Sequence, residues 1–199
     1  LIRSPIVTLT DIELAYSDYI AQRRLDDVRR WKRRNRADVV ESDSEARNHI
    51  LGAQGEHAFA KWLGIPREID GSYGICPVCR AFSGTVNTFG DKADVGRYQV
   101  RTRSYEGAPL IVRDVDKDDD VFVLVDCVHV LAGIASRFNV VGWMLGEDAK
   151  QYRFRKDPKG RGVAYFVPAN ELRSMMDLPR EEEQNASQDE SQGQEDIRA

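Results

Sequence analysis

From residue 11 to about residue 34, the apolar positions Ile12, Tyr16, Tyr19, Ile20, Leu25, Val28 and Trp31 recur mostly at steps of three and four. That spacing is one stripe on a helix. Thr10 or Asp11 stands just before it and can cap the first turn, since a side-chain oxygen there satisfies free backbone N–H groups. A second helix is expected from about residue 44 to 63, with Ile50, Leu51, Ala53, Ala58, Phe59, Trp62 and Leu63 on its buried side. Gly64 ends it and Pro66 bars its return.

After residue 64 the pattern changes. Residues 70–90 are rich in Gly, Ser, Thr and Pro and read as a long loop. Then Tyr98, Val100 and Thr102 alternate with Gln99, Arg101 and Arg103, the period-two signature of a strand with one apolar and one polar face. Further strands are expected at residues 110–112, 121–130, 140–145 and 164–167, and a short helix from about Ala169. Two helices followed by a mostly antiparallel run of strands imply an α+β fold, or an α/β one in which a mixed sheet is flanked by helices. Beyond Leu178 there is almost no apolar residue, so the last twenty-odd positions are expected to stay disordered.

Charge sharpens this picture. Residues 179–199 carry seven acids against two arginines, a net −5, whereas the whole chain is −4, which leaves the remainder at +1. Within the remainder, Arg23, Arg24, Arg29, Arg30, Lys32, Arg33, Arg34 and Arg36 fall in fourteen positions. A basic segment beside a separable acidic tail fits a protein that meets a polyanion. The most apolar stretch, residues 121–135, contains Asp126 and His129 and is a buried strand region, not a membrane span. Three cysteines argue against a disulfide framework, and the first residues do not read as a signal peptide. A soluble chain in a reducing, cytoplasmic compartment is the expectation.

Three pieces carry candidate chemistry: Gly52-Ala-Gln-Gly55-Glu56 on the second helix, Gly90-Asp-Lys-Ala-Asp94 before the strand, and Gln99-Val-Arg101 on it. Glycines 52 and 55 each cost the helix about 1 kcal/mol relative to alanine. That cost is expected where a helix approaches a sheet closely, which would carry Glu56 toward the sheet end. Asp94-Val-Gly-Arg-Tyr-Gln99 reads as a tight turn at Gly96-Arg97 with a return strand, placing Asp94 near Gln99. Gln99 and Arg101 then share a face. Two carboxylates, an amide oxygen and a fixed cation suit Mg²⁺ or Mn²⁺, with positions open for water and phosphate.

A helix Glu, then an Asp, then an x-x-basic strand motif resembles the PD-(D/E)XK nuclease core. More narrowly, the chain is similar to a group of phage and bacterial proteins that combine such a Gly-x-x-Gly-Glu helix with three further segments. Here these are Asp94-Val-Gly-Arg-Tyr-Gln-Val-Arg-Thr102, a Val-Phe-Val-Leu-Val strand, and Val-Val-Gly-Trp-Met-Leu-Gly-Glu-Asp-Ala-Lys150. The resemblance covers about half the chain and implies a restriction-endonuclease-like mixed sheet. It divides the chain into an N-terminal basic helical segment (residues 1–40), a nuclease-like domain (41–178) and the acidic tail (179–199). It further implies a metal-dependent deoxyribonuclease of repair, recombination, phage replication or defence, in a bacterial or phage-infected cell. Glu56, Asp94 and Gln99 would hold the metal, and Arg101 would hold the scissile phosphate. DNA would lie along Arg23, Arg24, Arg29, Arg30, Lys32, Arg33, Arg34 and Arg103. RNA is compatible with the same chemistry, as is a homodimer. Gln99 stands where the superfamily has an acid, and Arg101 where it has lysine. Arginine stays protonated, so it clamps phosphate and does not act as a base. The alternative implied by these departures is a nucleic-acid-binding module with weak or no cleavage.

Cys76-Pro-Val-Cys79, with Cys127 and His129, supplies the ligand types of a Cys₃His zinc site. The commoner outcome for such a set is a buried free cysteine and a satisfied histidine. Asp114, Asp116, Asp118, Asp119 and Asp120 crowd one turn, which is expected to be solvated rather than metal-binding.

Overall fold

The computed structural model describes residues 5–30, 43–64, 94–131, 134–157 and 162–179. Helix α1 (Asp11–Arg30) starts on a capping box at Thr10: its backbone N–H donates to Glu13 Oε2 at 2.7 Å, and the Glu13 N–H donates back to Thr10 Oγ1 at 3.4 Å. Helix α2 (Asp43–Trp62) ends at Gly64, whose φ of +71° is a left-handed stop that glycine adopts without strain.

The face that α1 buries is only in part the stripe of its large apolar residues: Leu25 is buried and Tyr16 and Ile20 pack against the core. Ile12 is 65% exposed and Tyr19 44%, whereas Leu14, Ser17, Ala21 and Leu25 are buried. Ser17 and Ala21 are small enough to let α1 lie close on α2. The two helices run antiparallel, with Glu13 paired to Lys61 at 2.9 Å, Ser17 to His57 Nδ1 at 2.6 Å and Asp18 to Gln54 at 3.2 Å. Helix α2 is buried nearly all round from Ala53 to Ala60 because α1 covers one side and a sheet the other.

That sheet has the order β1-β5-β4-β2, formed by Ile6–Thr8 (β1), Ile134–Leu145 (β5), Val121–Leu131 (β4) and Tyr98–Arg103 (β2). β4 pairs antiparallel with β5 and parallel with β2, so the sheet is mixed. A second, antiparallel sheet of order β3-β7-β6 comprises Leu110–Arg113 (β3), Ala164–Val167 (β7) and Arg155–Lys156 (β6). The alternating side chains of β4 separate two cores. Val121, Val123, Val125 and Cys127 pack with Ala58 and Phe59 of α2, while Phe122 and Leu124 pack with Leu110, Val112, Tyr165 and Val167 of the second sheet. The architecture is therefore α+β in three layers: helix pair, mixed sheet, small sheet.

Beyond β1, the edge of β5 is covered by the chain near Arg173, which exchanges backbone hydrogen bonds with Trp143, and the Trp143 indole donates to Ser174 O at 3.0 Å. Gly142 is required there, because a Cβ would come within 2.7 Å of the Arg173 carbonyl. The short helix expected from Ala169 is two single 3₁₀ turns, Ala169–Glu171 and Met175–Asp177. Among the described residues no helix is long and apolar enough to cross a membrane.

Candidate functional site

The turn before β2 forms as its residues dictate. Gly96 has φ +56°, Val95 and Tyr98 bridge across the turn, and the Asp94 N–H donates to Tyr98 O at 2.9 Å. This returns Asp94 along the outer edge of β2, where its Oδ2 accepts the Val100 N–H at 2.8 Å. Among the described residues β2 has a sheet partner on one side only, and Asp94 satisfies a backbone donor on the other.

Tyr98, Val100 and Thr102 face α2: the Tyr98 and Phe59 rings meet edge to face at 5.4 Å. Thr102 packs on Gly55 so closely that a Cβ at Gly55 would fall 2.0 Å from Thr102 Oγ1. A Cβ at Gly52, by contrast, would meet nothing within 4 Å, so only one of the two glycines serves the close approach. Glu56 follows Gly55 and is 5% exposed.

Its carboxylate is held by α1. Arg24 donates Nη1 to Oε1 at 2.8 Å and Nη2 to Oε2 at 2.6 Å, a bidentate pair. Arg24 was expected on a nucleic-acid face; it is turned inward onto Glu56, with its side chain 20% exposed. On the other face of β2, Arg101 lies over the Phe122 ring at 5.1 Å and reaches round the edge to Asp94 Oδ2 at 3.5 Å and Asp116 Oδ2 at 3.2 Å. Asp116 is fixed in turn by the Arg113 N–H at 2.8 Å.

The turn that carries Asp116 is not simply solvated. Lys150 donates to the carbonyls of Asp114 and Asp116 and to Asp118 Oδ1, and Gly146 sits so near the Lys117 carbonyl that no side chain fits. The Gly-Glu-Asp-Ala-Lys segment thus holds the acidic turn against Arg101. It includes helix α3 (Gly146–Ala149).

Burial pushes the Glu56 carboxyl up to about 7, against the pull of Arg24, and the charge of nearby Asp94 adds to the rise. Burial also raises Asp94 above the usual carboxylate range, opposed by Arg101 and by the Val100 N–H. Two carboxylates from different elements therefore share one electrostatic neighbourhood with two arginines.

Glu56, Asp94 and Arg101 come together as the sequence spacing suggests. Gln99 does not join them by any hydrogen bond among the described residues; it is buried on the Arg101 face, in register with Phe122. Arg103 donates to Pro109 O at 3.1 Å and stands in register with Asp126, so it braces the loop leading to β3. Arg23 is exposed and bonds Tyr19 Oη at 3.1 Å. Arg29 and Arg30 lie at the end of α1, and Lys32, Arg33 and Arg34 lie outside the described residues. Of the zinc set, Cys76 and Cys79 lie outside them too, Cys127 is buried in the helix-side core, and His129 is on β4. Arg24 and Asp116, expected on a nucleic-acid face and in a solvated turn, are here partners of Glu56 and Arg101, and Lys150 holds the Asp116 turn. Among the described residues, no three His, Cys, Asp or Glu side chains are grouped as a metal cage. Comparison with protein-family models, curated proteins and solved structures gives no match.

Proposed function

We propose that the chain is a divalent-metal-dependent nuclease of restriction-endonuclease-like fold, acting on DNA at Glu56 and Asp94. The observation that carries this reading is the electrostatic proximity of two carboxylates, buried Glu56 and half-buried Asp94, each already paired with an arginine: Glu56 with Arg24 and Asp94 with Arg101. Holding two like charges close together out of water is costly, and such clusters concentrate at functional sites. Mg²⁺ or Mn²⁺ is commonly held by one or two carboxylates plus substrate phosphate, so a full protein cage is not needed. The donor set fits such an ion: both carboxylates are hard, and a cationic group already occupies both oxygens of Glu56. When bound, the ion would polarise a phosphoryl oxygen and acidify an attacking water.

In this reading the protein's own residues divide the task. Glu56 and Asp94 supply the negative charge, the Val100 N–H fixes the Asp94 carboxylate, and Asp116 orients Arg101. Arg101 remains charged and holds a non-bridging phosphate oxygen. Gln99, buried on β2 two residues from Arg101, is not needed for the metal in this reading. The exposed Tyr19 and Arg23 of α1 offer a ring and a cation to the substrate.

A second reading has one observation in its favour. Arg101 is already tied to both Asp94 and Asp116, the arrangement expected of a nucleic-acid-binding module that does not cut. Linear, circular and branched DNA, each incubated with Mg²⁺, Mn²⁺ or EDTA, separates the two. The nuclease reading expects cleavage in either metal and none in EDTA. Metal-independent retention of every DNA intact would establish the binding module instead.

A further inference from the structure

We infer that Arg24 is a latch that makes cation binding at Glu56 conditional on a bound phosphodiester. This rests on the proposed metal reading of the Glu56–Asp94 site. The guanidinium takes both oxygens of Glu56, at 2.8 and 2.6 Å, so an ion approaching that carboxylate meets a fixed positive charge in its seat. Asp94 is likewise engaged, through Oδ2, with the Val100 N–H and Arg101.

Consider the three ways of disturbing this pair. A cation entering alone must expel Arg24, which then has lost a buried carboxylate partner. A phosphate drawing Arg24 away alone strips Glu56, a side chain 5% exposed, of its counter-charge. The first step gives up a bidentate ion pair, and the second leaves a desolvated charge without its counter-ion. If both arrive together, Arg24 exchanges carboxylate for phosphate and Glu56 exchanges guanidinium for metal, and every charge stays paired. Arginine suits the exchange because its planar fork matches a phosphate as well as it matches a carboxylate. The helix places it for this role. Arg24 sits at a partly exposed position of α1, next to exposed Arg23, and Arg29 and Arg30 follow on the same helix.

The consequence is positive coupling between polyanion and metal. By linkage, each ligand must tighten the other by the same factor. The chain at rest then holds no strongly bound divalent ion, and the site assembles on its substrate.

The test measures Mn²⁺ binding by electron paramagnetic resonance, with and without a short cleavage-resistant phosphorothioate oligonucleotide, after subtracting ion bound by the oligonucleotide alone. In the native chain the oligonucleotide should tighten Mn²⁺ by about tenfold or more, and Mn²⁺ should tighten the oligonucleotide equally. Arg24→Gln, which keeps a planar donor but no charge, should bind Mn²⁺ more tightly than native protein when alone, and the coupling should collapse. Arg24→Lys, with a single-point contact, should fall between the two and serves as the deciding variant where Arg24→Gln does not fold. Variants that bind Mn²⁺ no more tightly than native protein, while all bind it, would overturn the latch. Absence of Mn²⁺ binding in every protein, with oligonucleotide present, would overturn the site reading on which the latch rests.

Discussion

Asp126 shows how one buried side chain makes stability depend on pH. It is 1% exposed, its Oδ2 accepts the Gly107 N–H at 3.1 Å, and its Oδ1 has no hydrogen-bond partner among the described residues. In register across β5 stands Asn139, whose Oδ1 is also buried without one. Burial pushes Asp126 up to about 6, above its ordinary 3.8. The folded chain therefore binds the proton more tightly than the unfolded chain, and stability falls as pH rises from about 4 to 6. Above that window the full cost is present, about 2 to 3 kcal/mol. Asp126→Asn removes the titration and can offer an amide N–H to Asn139. Denaturation at pH 4 and pH 7.5 should show the variant gaining that amount only at the higher pH; an equal difference at both would contradict the assignment. At this scale the site was partly legible. Glu56, Asp94 and Arg101 declare themselves by spacing along a helix, a turn and a strand. Arg24 does not, because it sits among other arginines and its partner lies 32 residues away. Asp116 was hidden for a similar reason, since its role depends on Lys150 and Gly146 holding a turn that otherwise reads as solvated.

The packing of α2 on β2 is what brings Glu56 to Asp94, and it depends on one absent methyl group. Gly55→Ala would put a Cβ against Thr102 Oγ1, Cγ2 and Cβ at 2.0, 2.6 and 2.8 Å. The helix must then lift away, at about 1 to 3 kcal/mol, and any activity at Glu56 should fall with it. Thr102→Ala in the same chain removes two of the three obstructing atoms and should recover part of the loss. Gly52→Ala meets no neighbour and should stabilise α2 by about 1 kcal/mol. Thermal melts of the three variants check this; equal effects of Gly52→Ala and Gly55→Ala would contradict it. Most elements were legible in the chain: both helices, β2, β3, most of β4, and β7 follow from periodicity and from caps and turns. The exposed face of α1 was partly misread because its large apolar residues outvote Ser17 and Ala21, which serve by being small. The first half of β5 was missed because Ser136, Arg137 and Asn139 interrupt its apolar pattern, and β1 because three residues carry too little period. The parallel pairing of β2 with β4 depends on a crossover through β3, which local pattern does not reveal.

Across the whole molecule, the mixed sheet is buried on both faces, and the C-terminal strand and turns complete that burial. Leu178 lies in the helix-side core, and Tyr98 Oη donates to Pro179 O at 2.6 Å, so the folded body extends to Pro179. Ending the chain after Pro179 should leave the melting temperature nearly unchanged and tighten DNA binding at low salt, because it removes five net negative charges. Ending it after Asp177 should cost about 2 to 4 kcal/mol, from a lost buried leucine and the lost Tyr98–Pro179 hydrogen bond. A large drop in melting temperature for the longer of the two truncated chains, the one ending at Pro179, would show that the tail contributes to the fold. The central claim is that Glu56 and Asp94 act together on a divalent ion to cut DNA. The most direct test is the rate of cleavage of end-labelled DNA across a Mg²⁺ and Mn²⁺ titration, with native protein and Asp94→Ala compared at matched folded concentration. The account predicts metal-dependent cleavage by the native chain and a loss of at least about a hundredfold in the variant. Cleavage by folded Asp94→Ala at the native rate, or none by the native chain at any metal concentration, would contradict it.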